Sequence, residues 1–154
     1  MALFGKHRYT FVKVQKKGIP HGLWTKCEGC EQPIYNKELK ENSSVCSKCN
    51  YHFTLSALER IDLFIDKDSF QETNAEMGTS DPLNFKGPKS YKEKIEQDQK
   101  ATNLKEAVIT GMGELGKKRI VVAVTDSRFI MGSMGSVVGE KITRAIENAT
   151  GNRL

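Results

Sequence analysis

Two patterns predict a chain in two parts, a small metal-held ribbon followed by the opening unit of a larger α/β fold. The first is a set of four cysteines, the only ones among 154 residues, arranged as Cys27-Glu28-Gly29-Cys30 and Cys46-Ser47-Lys48-Cys49. The second is a run of strand, strand, glycine-rich turn and helix over residues 106–150. A hydrophobic share of 38% against 28% charged residues fits a globular chain of one ordinary domain, or one small domain and part of another.

The cysteine pairs carry the sharper signal. A CxxC turn aims two thiolates at one point, and two such turns face to face complete the tetrahedral sulfur cage that a structural zinc ion accepts. The intervening residues 31–45 are long enough for a short β-hairpin, so the turns can oppose each other. A pair of disulfides would need a secreted miniprotein, and a thioredoxin-like redox pair would explain only one CxxC. The ligands are therefore expected to be Cys27, Cys30, Cys46 and Cys49, around one structural zinc ion. Four thiolates leave no open position for water, so this zinc should build structure and do no chemistry. His52 is expected to pack against the ribbon instead of binding metal. Gly29 and Asn50 are expected to take the left-handed backbone that turns N–H groups toward sulfur.

The formal charge is +5, and four thiolates with one divalent ion lower it to about +3. Lys6, Arg8, Lys13, Lys16 and Lys17 stand among the first seventeen residues without a single acid, and residues 1–22 read as an irregular basic arm. The arm lacks the apolar stretch of a signal peptide, and no run approaches the length of a membrane span. With reduced, metal-bound cysteines, this places the protein in the cytoplasm.

Residues 23–53 read as the ribbon, with Trp24, Ile34, Tyr35 and Val45 as its apolar cover. A site this small cannot fold on burial alone, so metal binding should supply much of its folding free energy. Residues 54–105 read as a helical connection. Leu58, Ile61, Leu63, Phe64 and Ile65 fall on helical spacing behind Thr54 or Ser56 as N-cap, and Asp66-Lys67-Asp68 closes the element. Residues 70–89 read as extended, and residues 90–101 as a polar helix whose charges form a solvated face.

Residues 107–115 and 119–125 then read as a hairpin, its second strand apolar enough to be buried on both faces. A glycine- and methionine-rich loop leads into a helix over residues 136–149, with Val137, Val138, Ile142, Ala145, Ile146 and Ala149 on one stripe. One ββα unit cannot close its own core. The loop itself, Phe129-Ile130-Met131-Gly132-Ser133-Met134-Gly135-Ser136-Val137-Val138-Gly139-Glu140-Lys141, is neither a Walker loop nor a dinucleotide fingerprint, because its lysine and glycines fall at the wrong offsets. Gly135 and Gly139 would either let the helix pack closely on the sheet or leave bare N–H groups facing an anionic or thioester ligand.

Taken together, the Leu-Trp-Thr-Lys-Cys lead-in, the ribbon, the Pro-Leu-Asn-Phe and Ser-Tyr-Lys-Glu-Lys stretches and the Gly-Ser-Met-Gly-Ser-Val-Val-Gly loop resemble the β subunit of bacterial acetyl-coenzyme A carboxylase carboxyltransferase. The resemblance runs from about residue 18 to residue 154. It implies a zinc ribbon followed by an incomplete α/β crotonase-like domain, a superhelix of ββα units, of which residues 106–154 are the first.

The implied reaction moves a carboxyl group from carboxybiotin on a biotin carboxyl carrier protein to acetyl-CoA, giving malonyl-CoA for fatty acid synthesis. The implied partners are the carboxyltransferase α subunit, the carrier protein and an ATP-dependent biotin carboxylase. Both biotin and the acetyl thioester pass through enolate-like states, which paired backbone N–H groups in oxyanion holes stabilise. Members of the family continue past the point where this chain ends, and the sequence holds no Gly-Gly pair. The chain is thus expected to be an N-terminal fragment or truncated product, with no catalytic residue of its own and no activity alone. Gly132, Ser133, Met134 and Gly135 are the expected acyl-CoA contacts. A different class of function is a zinc-ribbon module binding nucleic acid, through Lys26, Lys37, Lys40, Lys48 and the basic arm. Against it, Glu28, Glu31, Glu38 and Glu41 interleave with those lysines, and aromatic residues for base stacking are few. An inert structural fragment is the third reading.

Overall fold

The computed structural model describes residues 22–154, so the basic arm lies outside the described residues apart from Gly22. The chain divides into two compact units, Met1–Phe53 and Thr54–Leu154.

In the first unit, β1 (Trp24–Lys26) and β2 (Pro33–Tyr35) pair antiparallel with Thr25 opposite Ile34, and the first CxxC lies in the loop between them. The hairpin therefore brackets one cysteine pair, where the sequence suggested one between the two pairs. Helix α1 (Asn36–Glu41) follows, an element the sequence reading lacked; its six residues, Asn-Lys-Glu-Leu-Lys-Glu, carry one apolar side chain and hence no helical period. The core of this unit is Cys27, Ile34 and Cys46, with Cys30, Leu39, Tyr51 and Phe53 against it. Trp24 and Tyr35, expected as cover, are exposed (54% and 36%) and rest on each other with ring centroids 5.4 Å apart.

The second unit is built on a three-stranded antiparallel sheet in the order β3 (Gln71–Thr73), β4 (Val108–Leu115), β5 (Lys118–Thr125). Gly116 and Lys117 both have positive φ, the backbone of a tight two-residue hairpin turn. The Asp66 carboxylate accepts from the N–H groups of both, at 3.0 and 2.7 Å.

Alternation along β4 sends neighbouring side chains to opposite faces. On one face Ile109 and Val124 meet Ala57, Ile61 and Ile65 from helix α2 (Ala57–Phe64) and its end. On the other, Val108 meets Ile95 of helix α3 (Tyr91–Thr102), Phe129, and Val138 of helix α4 (Ser136–Asn152). Ser56 and Ser90 open α2 and α3 with reciprocal capping boxes to Glu59 and Glu93. Gly111 is needed where it stands, since a Cβ there would lie 2.5 Å from the Gln71 carbonyl oxygen and the Phe70 ring.

Three expectations change. Residues 71–73, read as part of an extended connection, form strand β3. Of β5 only Val124 is buried; the strand stands at the edge of the sheet, and among the described residues no further strand pairs with it. The boundary drawn at residue 106 falls inside this unit, since α2, β3 and α3 share its sheet and core with β4 and β5. Among the described residues no helix is long and apolar enough to cross a membrane.

Candidate metal centre and glycine loop

In the ribbon the two CxxC turns converge. The Sγ atoms of Cys27, Cys30, Cys46 and Cys49 all lie within 4.8 Å of one another. Cys27 and Cys49 are 3.7 Å apart and Cys30 and Cys46 3.8 Å apart, so each turn faces the other across the centre. A tetrahedron with metal–sulfur bonds of about 2.3 Å has sulfur–sulfur edges of about 3.8 Å, so the spacing suits zinc and leaves no fifth donor. His52 is not in the cluster; its backbone bridges Val45.

The residues that close the two turns are Glu31 and Asn50, both left-handed (φ 58° and 59°), and each donates its N–H to the carbonyl of the first cysteine of its pair at 2.9 Å. Asn50 was anticipated. Gly29 was not required for its φ; its hydrogen matters because a Cβ would come within 3.0 Å of Tyr51 Cβ and 3.2 Å of Cys49 Sγ. Glu31 instead bears the left-handed strain, which a glutamate, unlike glycine or asparagine, does not advertise in sequence.

Four thiols this close resist ionising together. Burial opposes the Cys46 thiolate, yet the backbone N–H groups of Lys48 and Cys49 and the thiols of Cys49 and Cys27 bring its pKa down to about 7. The Tyr51 N–H favours the Cys49 thiolate, but desolvation and the other three sulfurs push its pKa up to about 12. A divalent cation removes that mutual repulsion, which is the chemistry expected of such a donor set.

Around the ribbon the lysines are largely answered. Lys26 pairs with Glu31 at 3.1 Å, Lys37 sits 3.9 Å from Glu41, and Lys48 donates to the Pro33 carbonyl at 3.5 Å. Among the described residues this is a mixed-charge surface without an uninterrupted basic stripe.

In the second unit the glycine loop runs from the end of β5 into α4. Phe129 is fully buried and anchors it, and Ile130, Met131 and Gly132 follow in a tight left-handed turn with three consecutive positive φ angles, 40°, 56° and 72°. Met131 and Met134 are thrown outward, 90% and 72% exposed. Gly135 is the N-cap of α4, and no side chain caps that helix. Gly132 also lines a groove of about 450 Å³ with Met131, Arg60, Phe64, Ala123 and Thr125; Ser133, Met134 and Gly135 do not.

The packing explanation for Gly135 and Gly139 fails within this chain, because a Cβ at either would meet nothing within 4 Å. Helix α4 rests on the sheet through Val138, Ala145 and the buried Lys141, while Ile146, placed on the same stripe, is exposed.

Two buried carboxylates fix the loop, and neither stood among the sequence candidates. Asp126 accepts from Arg128 Nε and Nη2 at 2.9 and 2.7 Å, from the Arg128 N–H, and from the Ala57 N–H at the start of α2. The Arg128 guanidinium holds its pKa down at about 2 despite burial. Asp98 reaches the loop from α3, taking Lys94 Nζ at 2.7 Å and the Ile130 N–H at 3.0 Å. Burial works to raise its pKa, and those two donors hold it below the usual carboxylate range.

Comparison with known proteins agrees with this anatomy. Residues 24–49 match the acetyl-CoA carboxylase zinc finger domain. The chain is 50% identical to the acetyl-coenzyme A carboxylase carboxyl transferase subunit beta of Desulforamulus reducens, over all of this chain and 56% of that protein. It is likewise 50% identical to the subunit beta of Clostridium kluyveri, over 88% of this chain and 45% of that one. Among solved structures it is similar to transcarboxylase 12S, with a TM-score of 0.49 and 21% identity over 73% of this chain and 18% of that one. Throughout its length the chain is similar to acetyl-coenzyme A carboxylase carboxyl transferase beta subunits, and it spans about half the length of the relatives it matches.

Proposed function

We propose that this chain is the zinc-bearing part of a carboxyltransferase β subunit, in an enzyme that moves the carboxyl group of carboxybiotin to acetyl-CoA and so yields malonyl-CoA for fatty acid synthesis. The observation that carries the proposal is 50% identity running through both units of the chain, with the four-sulfur cluster inside the segment that matches the zinc finger of this enzyme.

In this reading Cys27, Cys30, Cys46 and Cys49 hold one structural zinc ion. With four sulfurs bound it has no position for water or substrate, so it contributes fold and no Lewis acidity. Gly132, Ser133, Met134 and Gly135 lie on the acyl-CoA side, where uncapped N–H groups at the start of α4 meet the thioester or a phosphate and glycine lets the ligand approach. The oxyanion hole belongs to the part of the relatives' length that this chain does not span, so no residue here is assigned a catalytic role. The partners are the carboxyltransferase α subunit, a biotin carboxyl carrier protein that brings the biotin, and a biotin carboxylase that uses ATP to charge it. The setting is the cytoplasm.

Malonyl-CoA formation from carboxybiotin is the test. A β subunit of the relatives' full length, carrying this segment and supplied with α subunit, should form it; the 154-residue chain with the same α subunit should not. Activity from the shorter chain would show that the reaction centre has been misplaced. No activity from the longer one would sink the functional reading.

A further inference from the structure

The loop that the proposed function assigns to acyl-CoA has an expensive shape. Ile130 is β-branched and Met131 is unbranched but bulky, yet both sit at positive φ with Gly132, a region that side chains with a Cβ take only under strain. The conformation persists only if its surroundings hold it. Phe129 anchors one end, and the Gly132 and Ser133 N–H groups close back on the Phe129 and Ile130 carbonyls at 2.8 and 3.0 Å. The remaining donor at the head of the turn, the Ile130 N–H, is taken by a side chain 32 residues away, Asp98 Oδ2.

Asp98 is 6% exposed, although it stands in a helix whose other charges face water. Its other oxygen takes Lys94, whose side chain is 45% exposed and has no need of a buried partner. Lys94 offsets much of the cost of burying this carboxylate, which leaves its second oxygen aimed at the loop amide.

We propose that Asp98 is the positioning residue of the glycine loop. By holding the Ile130 amide it fixes the left-handed turn over residues 130–132, and through that turn the placement of Met131 and of the Ser133–Gly135 backbone against the acyl-CoA ligand. The positioning role rests on reading the loop as the acyl-CoA side; the hold of Asp98 on Ile130 does not.

The experiment has two readouts on Asp98→Ala and Asp98→Asn. In the 154-residue chain, hydrogen exchange of the amides at 130–135 should quicken about tenfold in the alanine variant, as expected for losing a hydrogen bond to a charged acceptor. Exchange in β4 and β5 should stay unchanged, and the asparagine variant, which keeps an acceptor oxygen, should fall between. In the assembled full-length enzyme, the KM for acetyl-CoA should rise about tenfold in the alanine variant while kcat and the KM for the biotin donor hold within about twofold, with asparagine restoring most of the loss. Unchanged exchange at 130–135 overturns the proposal outright. Quickened exchange with an unchanged KM for acetyl-CoA overturns the positioning role and tells against the loop as substrate contact, while the Asp98–Ile130 hold survives. If the alanine variant exchanges faster throughout the sheet, the asparagine variant decides by the same two readouts.

Discussion

The two units of this chain are stabilised by different means. The ribbon buries three hydrophobic residues, two of them cysteines of the sulfur cluster, and leaves its tryptophan in water. The unit from Thr54 to Leu154 sandwiches a sheet between α2 on one side and α3 with α4 on the other, with an apolar cluster on each face. The first is a fold that a metal closes; the second stands on apolar burial and buried carboxylates. Interventions should therefore separate them.

Metal removal should have the largest effect and confine it to one unit. Structural zinc in small sites supplies about 10–16 kcal/mol of apparent binding free energy near neutral pH. Chelation, or Cys46→Ser, should unfold residues 23–53 while the amides of β4 and β5 keep their protection. Metal analysis with hydrogen exchange reads both at once. Full zinc retention in Cys46→Ser would remove that cysteine from the ligand set, and loss of protection in β4 would show that the units do not stand apart.

The converse intervention is Phe129→Ala. Its side chain is fully buried beside Val108 and Val138, and truncating a core phenylalanine costs about 3–5 kcal/mol. The unfolding free energy of the α/β unit should fall by that amount with zinc content unchanged.

Next in size is Asp126, which ties Arg128 and the start of α2 to the end of β5. Its carboxyl is held at about 2 against an ordinary 3.8, so the unfolded state takes up the proton first as pH drops. Its contribution is fully present above about 4, declines as pH falls through that window, and is gone below about 2. Asp126→Asn should cost about 1–3 kcal/mol at neutral pH and flatten the stability profile between pH 4 and 2. An unchanged acid profile in the variant would mean another carboxylate dominates.

How legible this was follows from the same contrast. The metal centre could be read from spacing because a sulfur cage needs four donors and little else. Helices α2 and α4 could be read because their apolar residues recur on one face, and α3 because a polar, charge-rich run follows Ser90. Strand β3 could not: Gln71, Glu72 and Thr73 join the sheet through backbone bonds to β4, with two of the three side chains exposed. The turn at Ile130 and Met131 was also invisible, since tertiary contacts impose a backbone those residues resist. Asp98 and Lys141 were missed for a different reason. Each falls at helical spacing from buried neighbours, Asp98 three residues after Ile95 and Lys141 three after Val138, so each occupies a core-facing position. The sequence reading gives Asp98 to a solvated face and takes Lys141 only as a lysine at the wrong offset for a phosphate loop, whereas both positions face the core.

The smallest expected effect bears on why the loop keeps its glycines. Gly139 is inside α4, and a Cβ there would meet nothing within 4 Å. Glycine in a helix interior is destabilising by about 0.5–1 kcal/mol relative to alanine, so Gly139→Ala should raise the stability of the 154-residue chain by about that much. Gly135 differs because it is the N-cap, with an extended backbone that alanine can adopt (φ −83°, ψ −176°). Alanine is a poorer cap than glycine, so Gly135→Ala should cost under about 1 kcal/mol. In the full-length enzyme it should weaken acetyl-CoA use far more than that loss of stability accounts for. Thermal denaturation of both variants, set beside KM for acetyl-CoA, separates the cases. A Gly139→Ala chain that loses stability would mean the helix needs bare backbone at that point after all. A Gly135→Ala enzyme with intact kinetics would take residues 132–135 out of the substrate site and leave Gly135 as a helix cap.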